Sequence, residues 1–300
     1  MALLLKPLNE QAIVLTGASS GIGLATARAR AKAGAQIVLV ARNEAALREI
    51  TDELAQGGAS VAYAVADVAD RSALANAAQL ALTKFGRIDT WINDAGLGMV
   101  GRLQDGSDED HRRLFETNFW GVVYGSLLAL PHLKQHGGAL INVGSEVSEA
   151  VIPLQGMYAT TKHAVKGFTD ALRVELMVEE APVSVTLIQP TAVDTPFPQH
   201  ARNITDQEPK LPDPMIDAQQ VADAILRACT VPERDVKVGA MSVVNTFMHN
   251  FLPKVGEKMA TAQQDRQHYD EAPRDPAGSL YSPAADGDGS VKGSGGVREK

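Results

Sequence analysis

A single cysteine, Cys229, stands in 300 residues, which excludes an intramolecular disulfide and any site built from several thiolates. It shares helical spacing with Val221, Ala222, Ile225 and Leu226, and so reads as a small buried apolar residue, not a catalytic thiol. No block of Lys or Arg occurs and the net charge is −8, so the electrostatic footprint needed for a phosphate backbone is missing and nucleic acid is not an expected partner. No apolar run approaches the roughly 18 to 20 residues that span a bilayer. The short Leu3 to Leu5 run is interrupted by Pro7, Asn9 and Glu10 with no cleavage-like site, so no signal peptide is read and a cytoplasmic location is expected. No metal site is expected. There is also no Pro/Gly/Ser-rich break before about Glu271, so residues 1 to 255 are expected to form one folding unit and 256 to 300 a largely irregular extension.

What is present is an alternation of apolar strand-like runs with helix-like segments. Strands are predicted at Ala12 to Leu15, Ile37 to Ala41, Ser60 to Val65, Thr90 to Asn93, Ala139 to Val143, Val183 to Gln189 and Asp235 to Val238, with helices including Glu44 to Gln56 and Arg71 to Phe85. Continuously apolar strands separated by helices indicate a parallel sheet covered on both faces. The expected fold is α/β, a doubly wound Rossmann-type sheet in a single domain with a C-terminal extension. In such folds ligands bind beyond the carboxyl ends of the strands, so the residues that follow each strand carry the functional information.

After the first strand comes Thr16-Gly17-Ala18-Ser19-Ser20-Gly21-Ile22-Gly23, where residues without side chains let a pyrophosphate approach the backbone at a helix N-terminus. After the second comes Arg42, preceded by Ala41 where an NAD-preferring fold carries an acid for the ribose hydroxyls. A guanidinium there can pair with a 2′-phosphate, so NADP(H) is the expected coenzyme and NAD(H) the less favoured one. After the fifth strand Ser145 is followed by Tyr158 and then Lys162, the last two four positions apart and so on one helix face. An ammonium on that face favours the phenolate, lowering a pKa that is about 10 when unperturbed, so that Tyr158 exchanges a proton near neutral pH. Ser145 can donate a hydrogen bond to an oxygen on which negative charge grows.

In their order and spacing these residues resemble the short-chain dehydrogenase/reductase family, over roughly Asn9 to Val238. The motifs are Thr16 to Gly23, Asn93-Asp94-Ala95-Gly96, Asn118, Ser145, Tyr158 to Lys162, and Pro190 through Thr195. The resemblance implies a hydride transfer between the nicotinamide and a carbonyl or secondary alcohol, with Tyr158 as general acid and base. It implies a catalytic group of Ser145, Tyr158 and Lys162, with Asn118 holding a water that continues the proton relay. It places Asp67 and Val68 at the adenine, Asn93 as a brace of the central sheet, and Thr195 at the nicotinamide carboxamide. Lys162 is implied to bond the nicotinamide ribose as well. The expected coenzyme-contacting set is therefore Gly17, Ser19, Ser20, Gly21, Ile22, Gly23, Arg42, Asp67, Val68, Asn93, Ala95, Gly96, Tyr158, Lys162, Pro190, Val193 and Thr195. Two positions depart from the family pattern: Asp94, where many members carry a second Asn, and Thr191, where a Gly commonly follows the proline.

The substrate is expected to be a small molecule with an apolar body, since Leu97, Met99, Ile152, Met157 and Phe197 fall where a pocket lining belongs. A rival of another class is a sensing or scaffold protein that binds NADP(H) without turnover, against which the intact Ser145, Tyr158 and Lys162 group speaks. Beyond the domain, Val243, Val244, Phe247, Met248, Phe251, Leu252 and Val255 recur at helical steps, with Pro253 expected to kink or end the helix. That face is expected to dock on the domain or on a second subunit of a homodimer or homotetramer. Membrane-surface contact through 243 to 255 is disfavoured by the few basic residues nearby. The stretch from Glu271 to Lys300, rich in Gly, Pro, Ser and Asp, is expected to be extended or disordered, anchored at most by Leu280 and Tyr281.

Overall fold

In the computed structural model, which describes residues 3–284 and 289–293, runs of Val, Ile and Leu with no polar alternation form the centre of a sheet buried on both faces. In chain order the strands are β1 (Ala12–Thr16), β2 (Gln36–Ala41), β3 (Val61–Val65), β4 (Thr90–Asn93), β5 (Met99–Val100), β6 (Gly138–Val143), β7 (Val183–Pro190), β8 (Val193–Asp194), β9 (Arg202–Asn203), β10 (Ile216–Asp217) and β11 (Asp235–Val238). Seven of them build one parallel sheet in the order β11-β7-β6-β4-β1-β2-β3, reversing direction of growth at β1 and β4. That reversal opens a crevice above the carboxyl ends of β1 and β4. Two short parallel pairs, β5 with β9 and β8 with β10, tie the loops above it together.

The helices are α1 (Gly21–Lys32), α2 (Glu44–Gln56), α3 (Arg71–Phe85), α4 (Asp108–Phe115), α5 (Gly121–His136), α6 (Gly156–Val178), α7 (Phe197–His200), α8 (Ala218–Ala228), α9 (Ala240–Phe251) and α10 (Pro253–Thr261). Local chemistry sets their ends. Asn43 caps α2 by accepting from the Ala46 N–H, Asp70 caps α3, and Gly86 closes α3 in the left-handed region. One layer packs α1, α2 and α8 on the sheet around Leu15, Leu39, Leu47 and Ile225, while the other packs α3, α5 and α6 around Trp91, Leu74, Leu133 and Leu172. This is the doubly wound α/β architecture expected from the strand pattern.

The C-terminal helices meet one expectation and leave another open. Pro253 does end α9, but it also opens α10, where its missing N–H costs nothing at the first helical position. The apolar face of α9 is not docked on the domain. Val243, Phe247 and Phe251 are 53%, 52% and 69% exposed, because α9 reaches the domain instead through Ser242, whose hydroxyl donates to the Gln189 carbonyl at 2.8 Å, and Thr246, whose hydroxyl accepts from Lys237 Nζ at 3.1 Å. Among the described residues no helix is long and apolar enough to cross a membrane.

Candidate active site

The floor of the crevice is the turn between β1 and α1. Gly17 adopts φ +72°, and a Cβ there would stand 2.8 Å from the Ala95 nitrogen. At Gly23 a Cβ would lie 2.1 Å from the Gly17 carbonyl oxygen, so the turn folds back on the helix only because both positions lack side chains. Thr16 fixes the neighbouring loop by accepting hydrogen bonds from the Asp94 and Ala95 N–H groups at 3.1 and 3.2 Å. The first turn of α1 thus points its N–H groups along the crevice, a ready anion site.

The walls come from the ends of the other strands. Arg42 follows β2, and its guanidinium donates to the carbonyl oxygens of Ser279 and Ser282 in the C-terminal extension. Asp67 and Val68 follow β3; Asp67 forms an ion pair with Arg113 and accepts from the Ala69 N–H at 3.0 Å. Ser145 follows β6 and opens a 3-10 turn in which Ser145 and Ser148 cap each other. Tyr158 and Lys162 face the same cavity from the first two turns of α6, and the Phe197 ring lies 5.2 Å from that of Tyr158. Tyr158 shares a hydrogen bond with Ser145. Lys162 donates to the Val143 carbonyl at 2.8 Å, and its Nζ is 5.8 Å from the centroid of the Tyr158 ring.

Of the residues expected at the site, the cavity is lined by Gly17, Ser19, Ser20, Gly21, Ile22, Arg42, Asp67, Val68, Ala95, Gly96, Ser145, Tyr158, Lys162, Pro190, Val193 and Thr195. Three stand behind its wall. Gly23 is the close-approach position just described. Asn93 is buried in the sheet, accepting from the Trp91 indole at 2.8 Å and donating to Ser126 and Asn142 at 3.1 and 2.9 Å, and so braces β4 against β6. Asn118 sits in a π-helical segment, Glu116–Trp120, and its side chain exchanges two 2.8 Å hydrogen bonds with the Leu97 backbone and donates to Thr161 at 3.1 Å. That amide therefore fixes the loop after β4 relative to α6.

Electrostatics correct one expectation. The Tyr158 phenol is not lowered; burial pushes it well above its ordinary value, and the nearby Asp94 and Glu146 carboxylates add to the rise. The hydrogen bond with Ser145 opposes them without winning. Lys162 is itself buried and lowered to about 8, held from falling further by Asp94. Asp94, partly buried, is raised to about 7 by desolvation, with Lys162 and the Gly23 N–H pulling the other way.

Two contributors carry no signal in sequence. Glu146, next to the catalytic-type serine, is buried and raised by burial; it lines the cavity and takes hydrogen bonds from Thr191 and from Asn245 of α9 at 3.2 Å. The other is the extension itself, since Ser279, Pro283 and Ala284 line the cavity beside Arg42. His200, at the end of α7, also lines it.

Comparison with known proteins follows the same lines. The sequence model of the family described as short chain dehydrogenase matches residues 11–206. An uncharacterized oxidoreductase of Bacillus subtilis, YxnA, is 42% identical over 275 residues, covering 91% of this chain and 77% of its own. The structure of an alcohol dehydrogenase from Thermococcus sibiricus, complexed with 5-hydroxy-NADP, superposes with a TM-score of 0.67 at 30% identity, covering 76% of this chain and 94% of that one. A 3-ketoacyl-(acyl-carrier-protein) reductase from Brucella melitensis, complexed with NADH, superposes with a TM-score of 0.69 at 26% identity over 78% of this chain and 99% of its own.

Proposed function

From the premise that this chain belongs to the short chain dehydrogenase family and is an oxidoreductase of that family, we propose that it interconverts an apolar carbonyl compound and its alcohol, with NADP(H) as preferred coenzyme. The observation that carries the reading is the convergence of Ser145, Tyr158 and Lys162 on one cavity whose other end is the glycine turn and Arg42.

The cleft fits a dinucleotide. Backbone N–H groups at the start of α1 suit a pyrophosphate, and Thr195 and Pro190 line the end nearest Tyr158. When bound, the coenzyme supplies or accepts the hydride. Ser145 donates a hydrogen bond to the substrate oxygen as charge develops there. In the reductive direction Tyr158 gives its phenolic proton to that oxygen, a role suited to a phenol that burial keeps protonated. Lys162 supports the phenolate left behind by Coulomb attraction across a dry pocket. Asn118 steadies the loop after β4 against α6, which keeps the lysine and the coenzyme wall in register.

Preference for NADP(H) is supported by Arg42 and by the lack of an acid at Ala41; among the solved relatives one carries an NADP derivative and another NADH. An apolar substrate is supported by the cluster of Leu97, Met99, Val147 and Tyr158, with Ile152 and Phe197 against it. A homo-oligomer is supported by apolar surface on α6 and α9, where Met177, Val178 and Phe251 are 71%, 81% and 69% exposed. A cytoplasmic setting and a division into a domain of residues 1 to 255 with an extension complete the reading.

The test is a panel of aldehydes, ketones and secondary alcohols incubated with protein and NADPH or NADH, followed by absorbance of the reduced coenzyme. Turnover with apolar members, faster with NADPH, is expected. Coenzyme binding without turnover across the panel would favour a sensor instead.

A further inference from the structure

The C-terminal extension lies across the coenzyme cleft, and two separate stretches of it are anchored there. The first, residues 279–284, forms part of the cavity wall through Ser279, Pro283 and Ala284. Leu280 is fully buried in the cluster that contains Tyr158, Leu97 and Met99, and its carbonyl accepts from Arg113 Nε at 3.0 Å. The same Arg113 holds Asp67 on the opposite wall. The Ser279 N–H donates to the His200 carbonyl and the Tyr281 hydroxyl to Asp110, both at 2.8 Å. The second stretch, residues 289–293, crosses the turn between β1 and α1. Gly289 donates to the Ser19 carbonyl at 2.7 Å, the Gly21 N–H donates to the Ser290 carbonyl at 2.9 Å, and Lys292 pairs with Asp217 at 3.6 Å. Val291 packs against the core cluster on that side.

The cavity persists beneath these anchors. Its lining runs from Gly17 and Ser19 to Thr195 and takes in Ser279, Pro283 and Ala284 from the first stretch, while residues 289 and 290 of the second bond the lining residues Ser19 and Gly21. The first stretch therefore walls the cavity, and the Ser290 carbonyl of the second holds the Gly21 N–H at the glycine turn, so the second stretch has to move before a dinucleotide can reach that group.

Resting on the coenzyme reading above, we infer that residues 279–284 and 289–293 are a functional part of the coenzyme site, a strap that encloses bound nicotinamide dinucleotide and must lift for exchange. Most of the clamp over the turn is a pair of backbone hydrogen bonds, individually weak, so the stretch can open as a unit while Leu280 stays anchored. Coenzyme entry and release are thereby gated by the extension, and the dinucleotide is held between turnovers.

The experiment preloads the full chain with NADPH, chases with excess NADP+, and reads release by loss of energy transfer from tryptophan to the reduced nicotinamide. Two variants loosen the clamp without touching the cavity. Gly289 has φ +84° with open space around it, so Gly289→Val acts through backbone strain alone. Lys292→Glu sets a carboxylate against Asp217 on the surface. Release at least about tenfold faster in Gly289→Val, and faster by a smaller factor in Lys292→Glu, is expected when exchange waits on strap opening. Release within about twofold of the parent in both overturns the strap, as does slower release or tighter binding, which would make the stretch a competitor of the coenzyme. A parent that takes up neither NADPH nor NADH overturns the coenzyme reading as well.

Discussion

Lys162 Nζ lies 5.8 Å from the centroid of the Tyr158 ring and bonds the Val143 carbonyl at 2.8 Å, so the ammonium stands beside the phenol without a direct hydrogen bond to its oxygen. Its contribution to the phenol is Coulombic and depends on the dryness of the pocket. Lys162→Ala is expected to lower kcat and also to weaken NADPH binding, since the same ammonium faces the coenzyme cavity. Fluorescence titration alongside steady-state rates checks this; unchanged NADPH affinity would confine the lysine to the proton step.

Asp94 offers a pH test. Its folded-state pKa is raised from 3.8 to about 7 by burial, so the folded chain binds an extra proton between those values and loses stability as pH rises through that window. Asp94→Asn removes this cost. The gain in Tm over the parent is expected to be largest at pH 8 and to shrink steadily toward pH 4. Equal gains at both ends would show that the carboxyl is not paying for its burial.

Arg42 serves two partners in this reading, the strap carbonyls in the structure and a 2′-phosphate in the loaded site. Arg42→Gln is expected to cut the preference for NADPH over NADH by about 10- to 100-fold, the worth of a charge-assisted hydrogen bond to phosphate. Paired dissociation constants read it. A preference that survives the change would move phosphate recognition elsewhere.

Asn93 is tied to Trp91, Ser126 and Asn142, and Asn142 to Thr169, in a buried chain linking β4, β6, α5 and α6. Asn93→Ala leaves those groups short of partners and is expected to cost about 2–3 kcal/mol of stability. Urea unfolding measures the loss, and NADPH affinity of the folded fraction is expected to stay within about twofold. A stability change under about 0.5 kcal/mol would show that the network is dispensable.

The fold was readable because the central parallel strands are largely apolar and alternate with helical segments: Thr90–Asn93 and Asp235–Val238 match their predicted spans, and each of the other sheet strands differs by one residue at one end. The residues lining the cleft were readable for a related reason, since a doubly wound sheet puts post-strand residues there. Three features were not. The raised Tyr158 depends first on burial and then on Asp94 and Glu146, all set by tertiary packing, whereas only the one-turn spacing to Lys162 is visible in sequence. Glu146 joins the site because Thr191 and Asn245, far along the chain, supply its donors. The extension is rich in Gly, Pro, Ser and Asp, a composition typical of loose segments, and its docking rests on backbone hydrogen bonds and one buried leucine, neither of which leaves a periodic pattern.

Proton delivery by Tyr158 is the centre of the mechanism, and Tyr158→Phe isolates it because the ring, its packing on Phe197 and the cavity wall are retained. Single-turnover oxidation of prebound NADPH by an excess of an accepted carbonyl is expected to slow by about 10²- to 10⁴-fold in the variant, with NADPH affinity within about twofold of the parent. A variant that oxidises NADPH at the parental rate, with the same pH profile, would contradict the account.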